Sequence, residues 1–383
     1  KQGNADAQSI LGQMYHKGQG VPQDYKTAVD WSTLAAEQGN ADAQFYLGQM
    51  YRKGEDVAQN HKTALKWFTL AAEQGNAGAQ FNLGLMYANG QGVPQDYKTA
   101  VKWFTLAAEQ GDTRAQTNLG WMYRKGEGVP QDDKTAVKWY TLAAKQGNAD
   151  TQYSLGVMYD KGEGVSQNYK TAVNWYTLAA EQGNADAQYN LGQMYRKGEN
   201  VAQNHKTALK WYTLAAEQGD AGSQYKLGWM YRKGDGVLQN HKTALKWYTL
   251  AAEQGDADAQ SILGLMYYHG QGVPQDYKTA VKWFTLAAKQ GNADAQSILG
   301  VMYANGQGVL QNDKTALKWY TLAAEQGNAD AQYNLGQMYY NGEGVLKDYE
   351  TVVKWLTLAA EQGDARAQLN LGVMYANGQG VLQ

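Results

Sequence analysis

Two tryptophans, Trp121 and Trp229, each precede an Arg-Lys pair, Arg124-Lys125 and Arg232-Lys233. Tryptophan and arginine are enriched at the energetically important positions of protein interfaces, and arginine forms paired hydrogen bonds with carboxylates. The pattern predicts a groove that holds an extended or helical peptide by aromatic contact and pairs with its carboxylates. The alternative is that both tryptophans pack between neighbouring helices while the arginines are solvated.

These tryptophans belong to a set of positions that vary along the chain. The equivalents of residues 9, 13 and 16 are spaced i, i+4 and i+7, which places them on one stripe of a helix that we expect to be exposed. We predict that aromatic and basic side chains on and beside this stripe bind the partner. The predicted binding residues are Phe45, Arg52, Trp121, Arg124, Lys125, Tyr189, Arg196, Tyr225, Trp229, Arg232, Lys233 and Tyr268.

Histidines and carboxylates offer little for metal binding or catalysis. His205 and His241 lie in adjacent repeats, but only Asn and Lys flank them, and a zinc site needs further ligands. The run Glu73-Gln74-Gly75 recurs at helix ends and is interpreted as a solvated terminus rather than a set of catalytic acids. The chain has no cysteine. We therefore predict no catalytic residues, no bound metal, no cofactor and no enzymatic activity.

A period of 36 residues positions all of these side chains. Gly-Asn or Gly-Asp recurs at this spacing from Gly3 to Gly363. The period predicts a single array, with ten full repeats over residues 3–362 and a partial eleventh over residues 363–383. Because the sequence opens on the end of one repeat and closes before a second helix, we expect both ends to be truncated.

Each repeat is predicted to contain two helices joined by a tight turn. Asn40 is expected to cap the first helix, and Gly54 to end it in the left-handed conformation. Two residues later most repeats have a second glycine, which Asp56 and Asn200 replace in two repeats; Asp and Asn tolerate a positive φ best after glycine. Asp96 and its equivalents, all Asp or Asn, are expected to cap the second helix.

The predicted core lies between the two helices of a repeat. Ala100 and Trp103 fall on one apolar stripe of the second helix, with Phe104 beside it. Gly84 recurs inside the first helix despite a cost of about 1 kcal/mol relative to alanine, so we expect a large tryptophan to approach it closely. All eleven methionines occupy the position of Met86 and are interpreted as a core ridge rather than a soft-metal site.

The repeat motif resembles that of the Sel-one-like repeat family over the whole chain. It reads Ala-x-Ala-Gln-x-x-Leu-Gly-x-Met-Tyr-x-x-Gly-x-Gly-Val in the first helix and turn, as in residues 185–201 with Asn200 at the second glycine. Residues 276–291 carry the second part, Asp-Tyr-Lys-Thr-Ala-x-x-Trp-Phe-x-x-Ala-Ala-x-Gln-Gly. The resemblance implies an all-α, right-handed superhelical solenoid related to tetratricopeptide repeats, with first helices lining a concave surface and an adaptor role. Some bacterial relatives join each hairpin by a cysteine pair, which this chain lacks.

Composition narrows the class of partner. Thirty-four basic and thirty-six acidic residues give a formal net charge of −2, so no global field attracts nucleic acid. No apolar run reaches the roughly 18 residues of a membrane span. We expect a soluble protein, bacterial periplasmic or secreted, that scaffolds a protein or peptide partner.

Two other hypotheses about function stay open at this point. The twelve tryptophans and twenty-eight tyrosines suggest an envelope-associated protein that binds or hydrolyses glycans. The near-identical repeats also suggest a structural protein that associates end to end.

Overall fold

The computed structural model describes residues 3–55 and 57–380. Across these residues the regular elements are twenty-one α-helices of thirteen residues, and none is long and apolar enough to cross a membrane. The first helices of the repeats are α1 (Ala5–Lys17), α3 (Ala41–Lys53), α5 (Ala77–Asn89), α7 (Thr113–Lys125), α9 (Ala149–Lys161), α11 (Ala185–Lys197), α13 (Ala221–Lys233), α15 (Ala257–His269), α17 (Ala293–Asn305), α19 (Ala329–Asn341) and α21 (Ala365–Asn377). The second helices are α2 (Tyr25–Glu37), α4 (His61–Glu73), α6 (Tyr97–Glu109), α8 (Asp133–Lys145), α10 (Tyr169–Glu181), α12 (His205–Glu217), α14 (His241–Glu253), α16 (Tyr277–Lys289), α18 (Asp313–Glu325) and α20 (Tyr349–Glu361).

Two compact units divide the chain, Lys1–Ala187 and Gln188–Gln383. In each unit the two helices of a repeat pack against one another, and each second helix also packs against the first helix of the following repeat. The predicted fold class, an all-α array of helix-turn-helix repeats, is confirmed within both units.

The helix ends follow the local signals of the sequence. Oδ1 of Asn40 accepts a hydrogen bond from the Ala43 amide at 2.8 Å, and Gly54 ends α3 with a φ of 74°. At the second helix, Asp96 accepts hydrogen bonds from the hydroxyl and the amide of Thr99, and these bonds lower the pKa of Asp96. Asn200 has a φ of 65°, which confirms the expected turn geometry. Asp56 lies outside the described residues.

The core contact inside each repeat differs from the predicted one. A Cβ added to Gly84 would lie 2.7 Å from the ring of Phe104, so the phenylalanine, and not Trp103, faces the glycine. Trp103 and its equivalents are half-buried, apart from the buried Trp211. The ring of Trp103 lies instead beside the ammonium of Lys102, 5.4 Å from the ring centroid. The prediction that tryptophan fills this space was wrong.

The methionine ridge lies in the core as predicted. Met86 and its equivalents from Met50 to Met374 are buried, and Met14 in the first repeat is half-buried. They share the core with recurring alanines of the preceding second helix and with the leucine of their own helix, as Met86 does with Ala72 and Leu83. A thioether fills such irregular space without needing a polar partner.

A buried glutamine joins each repeat to the one before it. Nε2 of Gln80 donates to the carbonyl oxygen of Ala72 at 3.1 Å, which satisfies one of the free carbonyls at the end of α4. Oε1 of Gln80 accepts from Nε2 of Gln110 at 2.7 Å. The same pair of bonds recurs around Gln116 and Gln224. The glutamine of the Glu-Gln-Gly run is therefore part of the repeat junction, and not only a solvated helix end.

Candidate functional site

The first residue of the predicted stripe points into the repeat more than expected. Phe45 is half-buried, and its ring centroid lies 6.0 Å from that of Phe68 in the core. Tyr189 and Tyr225 make the same contact with the core tyrosines of their own repeats, at 6.0 and 5.7 Å. The expectation of an exposed stripe was wrong at this position, because an aromatic ring there reaches the aromatic residue that faces the helix glycine.

Trp121 lies on an open groove in the unit Lys1–Ala187. Its side chain is 43% exposed. The groove has a volume of about 470 Å³ and is lined by side chains of three successive repeats. The lining includes Leu85 and Ala88 of α5, Trp121 of α7 and Ser154 of α9. First helices of neighbouring repeats thus form a continuous surface around this tryptophan.

The lining of the groove includes acidic side chains. Glu127 and Asp150 both line it. Within residues 3–55 and 57–380 no hydrogen-bond partner reaches the buried Oε2 of Glu127. Tyr140 also lines the groove and is 3% exposed, and burial raises the pKa of its hydroxyl to about 12. An unpaired carboxylate oxygen beside an exposed indole suits a cationic or hydrogen-bond-donating side chain of a ligand.

The last position of the stripe is used for contacts with the next repeat. Nη2 of Arg124 lies 2.6 Å from Oε2 of Glu163, and both side chains are partly exposed. The hydroxyl of Tyr268 donates to Oε1 of Gln307 at 3.0 Å in the corresponding place. A partner carboxylate would therefore have to displace Glu163 before it could pair with Arg124. Ion pairs at this exposure contribute little to stability, so such an exchange costs little free energy.

Trp229 is less exposed than Trp121. It is half-buried and packs against the core clusters that contain Tyr212 and Tyr248. The guanidinium of Arg196, one repeat earlier, lies 5.2 Å from the centroid of the indole ring. Arg196 is therefore a close neighbour of this indole ring.

The remaining predicted residues are distributed along the same helix ends. Arg52 and Arg232 are half-buried, whereas Lys125 and Lys233 are exposed. Nδ1 of His205 lies 2.7 Å from Oδ1 of Asp235. In the unit Lys1–Ala187, Trp121 lies with the other groove residues. In the unit Gln188–Gln383, Tyr225 and Arg196 both lie close to Trp229.

Several groove residues were not predicted from the sequence. Ala88 contributes by its small size, and Glu127 and Asp150 contribute the acidic lining. One feature of the sequence could have indicated how open the surface beside each tryptophan is. It is the residue 33 positions earlier, which is Ala88 for Trp121 and Arg196 for Trp229. Spacing within one helix does not reveal this pairing, since it joins two repeats.

Comparisons with known proteins agree with the repeat architecture. The family model for the Sel1 repeat matches residues 5–40, 41–76, 77–112, 113–148, 149–184, 185–220, 221–256, 257–292, 293–328, 329–364 and 365–383. No curated protein matches the chain.

Two solved structures share this fold. One is c5321, a protective antigen present in uropathogenic Escherichia coli strains that displays an SLR fold. It is 39% identical with a TM-score of 0.91, over 99% of this chain and 81% of that one. The other is a Sel1 repeat protein from Oxalobacter formigenes, 38% identical with a TM-score of 0.64, over 79% of this chain and 88% of that one. Eleven consecutive matches and these two structures lead to one conclusion: the chain belongs to the Sel1 repeat family.

Proposed function

We propose that the protein is a non-enzymatic scaffold that binds a partner protein through an extended or helical peptide segment on its first-helix surface. The groove around Trp121 is the principal contact. The observation that carries this proposal is an indole that is 43% exposed above a groove of about 470 Å³ containing an unpaired carboxylate oxygen. Large exposed aromatic side chains on rigid elements are typical anchors of protein interfaces.

The lining of the groove also indicates the chemistry of the bound segment. Glu127 and Asp150 provide negative charge, whereas Arg124 is engaged by Glu163. A segment with an arginine or lysine next to an aromatic or aliphatic residue matches this arrangement, because the cation can stack on Trp121 or pair with Glu127. The carboxylates that the sequence led us to expect on the partner match this groove less well. Close to Trp121 in the sequence, Arg124 is already paired with Glu163, and Lys125 is the nearest exposed cation.

The test compares two tryptophan variants of the full chain. Peptides are selected from a random library on the parent protein, and their affinities are measured by titration calorimetry against Trp121→Ala and Trp229→Ala. We expect Trp121→Ala to weaken binding about tenfold or more, as for a central interface aromatic. Trp229→Ala is the matched control, because this indole is half-buried and already has the Arg196 guanidinium 5.2 Å from its ring centroid.

Three results would contradict the proposal. The first is equal affinity of the selected peptides for the parent and for Trp121→Ala. The second is selection of acidic rather than basic peptides. The third is a melting temperature of Trp121→Ala so low that loss of folding accounts for the loss of binding.

A further inference from the structure

Three leucines of the unit Gln188–Gln383 protrude from the turns between first and second helices. Leu238, Leu310 and Leu346 are 89%, 91% and 87% exposed. In the first unit the same turn position carries Pro22, Ala58, Pro94, Pro130 and Ser166. Elsewhere in this unit the position carries Ala202 and Pro274. A single exposed leucine is ordinary on a protein surface, but three at one equivalent position within four successive repeats form a pattern.

These turns follow one another along one edge of the unit. A Cβ added to Gly308 would lie 2.5 Å from the carbonyl of Tyr277, and one added to Gly344 would lie 2.7 Å from the carbonyl carbon of Asp313. Each turn therefore lies against the start of the second helix in the preceding repeat. We call this edge, formed by residues 196–210, 232–246, 268–282, 304–318 and 340–354, the turn edge.

The turn edge is strongly basic. Four of the five second helices in this unit begin with an exposed lysine and carry another one turn later, as at Lys206 and Lys210 or Lys278 and Lys282. In α20 the first of these is Glu350. The turn edge contains fourteen basic and seven acidic residues. The rest of the unit contains three basic and ten acidic residues. The near-neutral charge of the whole chain thus conceals a separation of charge between the turn edge and the rest of this unit.

We propose that the turn edge of this unit docks on an anionic lipid bilayer. Leu238, Leu310 and Leu346 enter the boundary between headgroups and acyl chains, and the lysines beside them bind the lipid phosphates. Interfacial binding of this kind combines buried apolar side chains with attraction to anionic lipid, and lysines within a Debye length of the surface each contribute. The acidic excess elsewhere in the unit is repelled by the same surface, which fixes the orientation of approach.

The separate placement of the leucines favours a bilayer over other partners. Each leucine projects from its own turn, and a lysine follows it within four residues, at Lys242, Lys314 and Lys347. The three leucines thus belong to separate turns rather than to one helix face. A fluid interface accepts isolated side chains without a matching pocket. The phosphate backbone of a nucleic acid could bind the lysines, but it has no apolar region in which three leucine side chains could be buried.

Co-sedimentation of the full chain with vesicles tests the proposal. One set of vesicles contains phosphatidylcholine alone, and the other contains phosphatidylcholine with phosphatidylglycerol. We expect binding to the mixed vesicles only, weakening as salt is raised. The variant L238S/L310S/L346S, which copies Ser166 at the same turn position, should bind about tenfold or more weakly because its tips no longer bury apolar surface. Its thermal melting should match the parent, since the replaced side chains contact little.

A matched control removes three other exposed leucines. L214S/L286S/L322S changes residues on the outer faces of α12, α16 and α18, about 14 Å along each helix from its start. This variant should bind like the parent.

Four results would overturn the proposal. They are no pelleting of the parent with mixed vesicles, equal binding to neutral vesicles, undiminished binding by the turn-leucine variant, and an equal loss in the control. Capture of a protein or a nucleic acid through the turn edge without vesicle binding would also overturn it.

Discussion

Trp121 and Trp229 occupy identical stretches of sequence, Leu-Gly-Trp-Met-Tyr-Arg-Lys-Gly at residues 119–126 and 227–234, yet their surroundings differ. Trp121 is exposed on an open groove, whereas Trp229 is half-buried with the Arg196 guanidinium beside its ring. The difference originates one repeat earlier, where Ala88 stands in the place of Arg196. The exposure of a side chain in this repeat protein is therefore set by the neighbouring repeat as much as by its own.

The largest expected effect tests whether the two regions share one scaffold. Gln116→Leu and Gln224→Leu would each remove the side-chain donor of a carbonyl oxygen at a buried alanine, Ala108 or Ala216, at a cost of roughly 1–3 kcal/mol. Hydrogen exchange should show equal loss of protection in α7–α8 and in α13–α14. Gln167→Leu and Gln239→Leu, which remove exposed hydrogen bonds, are the controls and should cost far less. Clearly unequal losses would mean that the regions differ in more than their surface.

An intermediate effect concerns the tyrosines below the two tryptophans. Burial raises the pKa of Tyr140 to about 12 and also raises that of Tyr248. In the unfolded chain these hydroxyls lose their protons near their ordinary pKa of 10, so the stability from each tyrosine is complete below pH 10 and is lost as the pH rises towards the folded value. The loss at Tyr140 amounts to about 3 kcal/mol at most.

The measurement follows unfolding free energy from pH 9 to pH 12, together with tyrosinate absorbance. Tyr140→Phe should remove the alkaline loss in the Trp121 region, and Tyr248→Phe should do so in the Trp229 region. Both should fold, because Phe104 and Phe284 occupy the same position in other repeats. Titration of Tyr140 at its ordinary pKa would show that the groove hydrates this hydroxyl.

The smallest expected effect exchanges the residues that distinguish the regions. Arg196→Ala should expose Trp229, and Ala88→Arg should cover Trp121. Arg196→Ala loses and Ala88→Arg gains one cation–π contact of about 1 kcal/mol, so the free energy of unfolding should change little in either variant. Fluorotryptophan NMR with solvent isotope shifts would report the exposure of each ring. If Trp229 stays shielded in Arg196→Ala, its own repeat encloses it and the comparison fails.

The sequence was sufficient to predict the features that act within one helix. Asn40 caps, Gly54 terminates and Asn200 takes a positive φ because each needs only its immediate neighbours. Periodicity could not decide between Trp103 and Phe104, since both are apolar neighbours on one face and only the packing against Gly84 distinguishes them. The groove was missed for a similar reason, because Ala88, Trp121 and Ser154 meet only after repeats stack. The net charge of the whole chain likewise averages the basic turn edge with the acidic remainder of the unit, and only a count by position within the repeat separates the two.

The buried glutamine has a consequence for how the length of this protein can change. Gln80 caps Ala72, and Gln116 caps Ala108 in the same way, so every junction within a unit is chemically interchangeable. Deleting residues 77–112 would bring Gln116 to the carbonyl of Ala72 and leave each amide with a partner. A deletion of any length that is not a multiple of the repeat would leave these groups unpaired in the core. Whole repeats can therefore be gained or lost by recombination between copies of the gene segment. Each repeat that is gained or lost takes its own set of surface side chains with it.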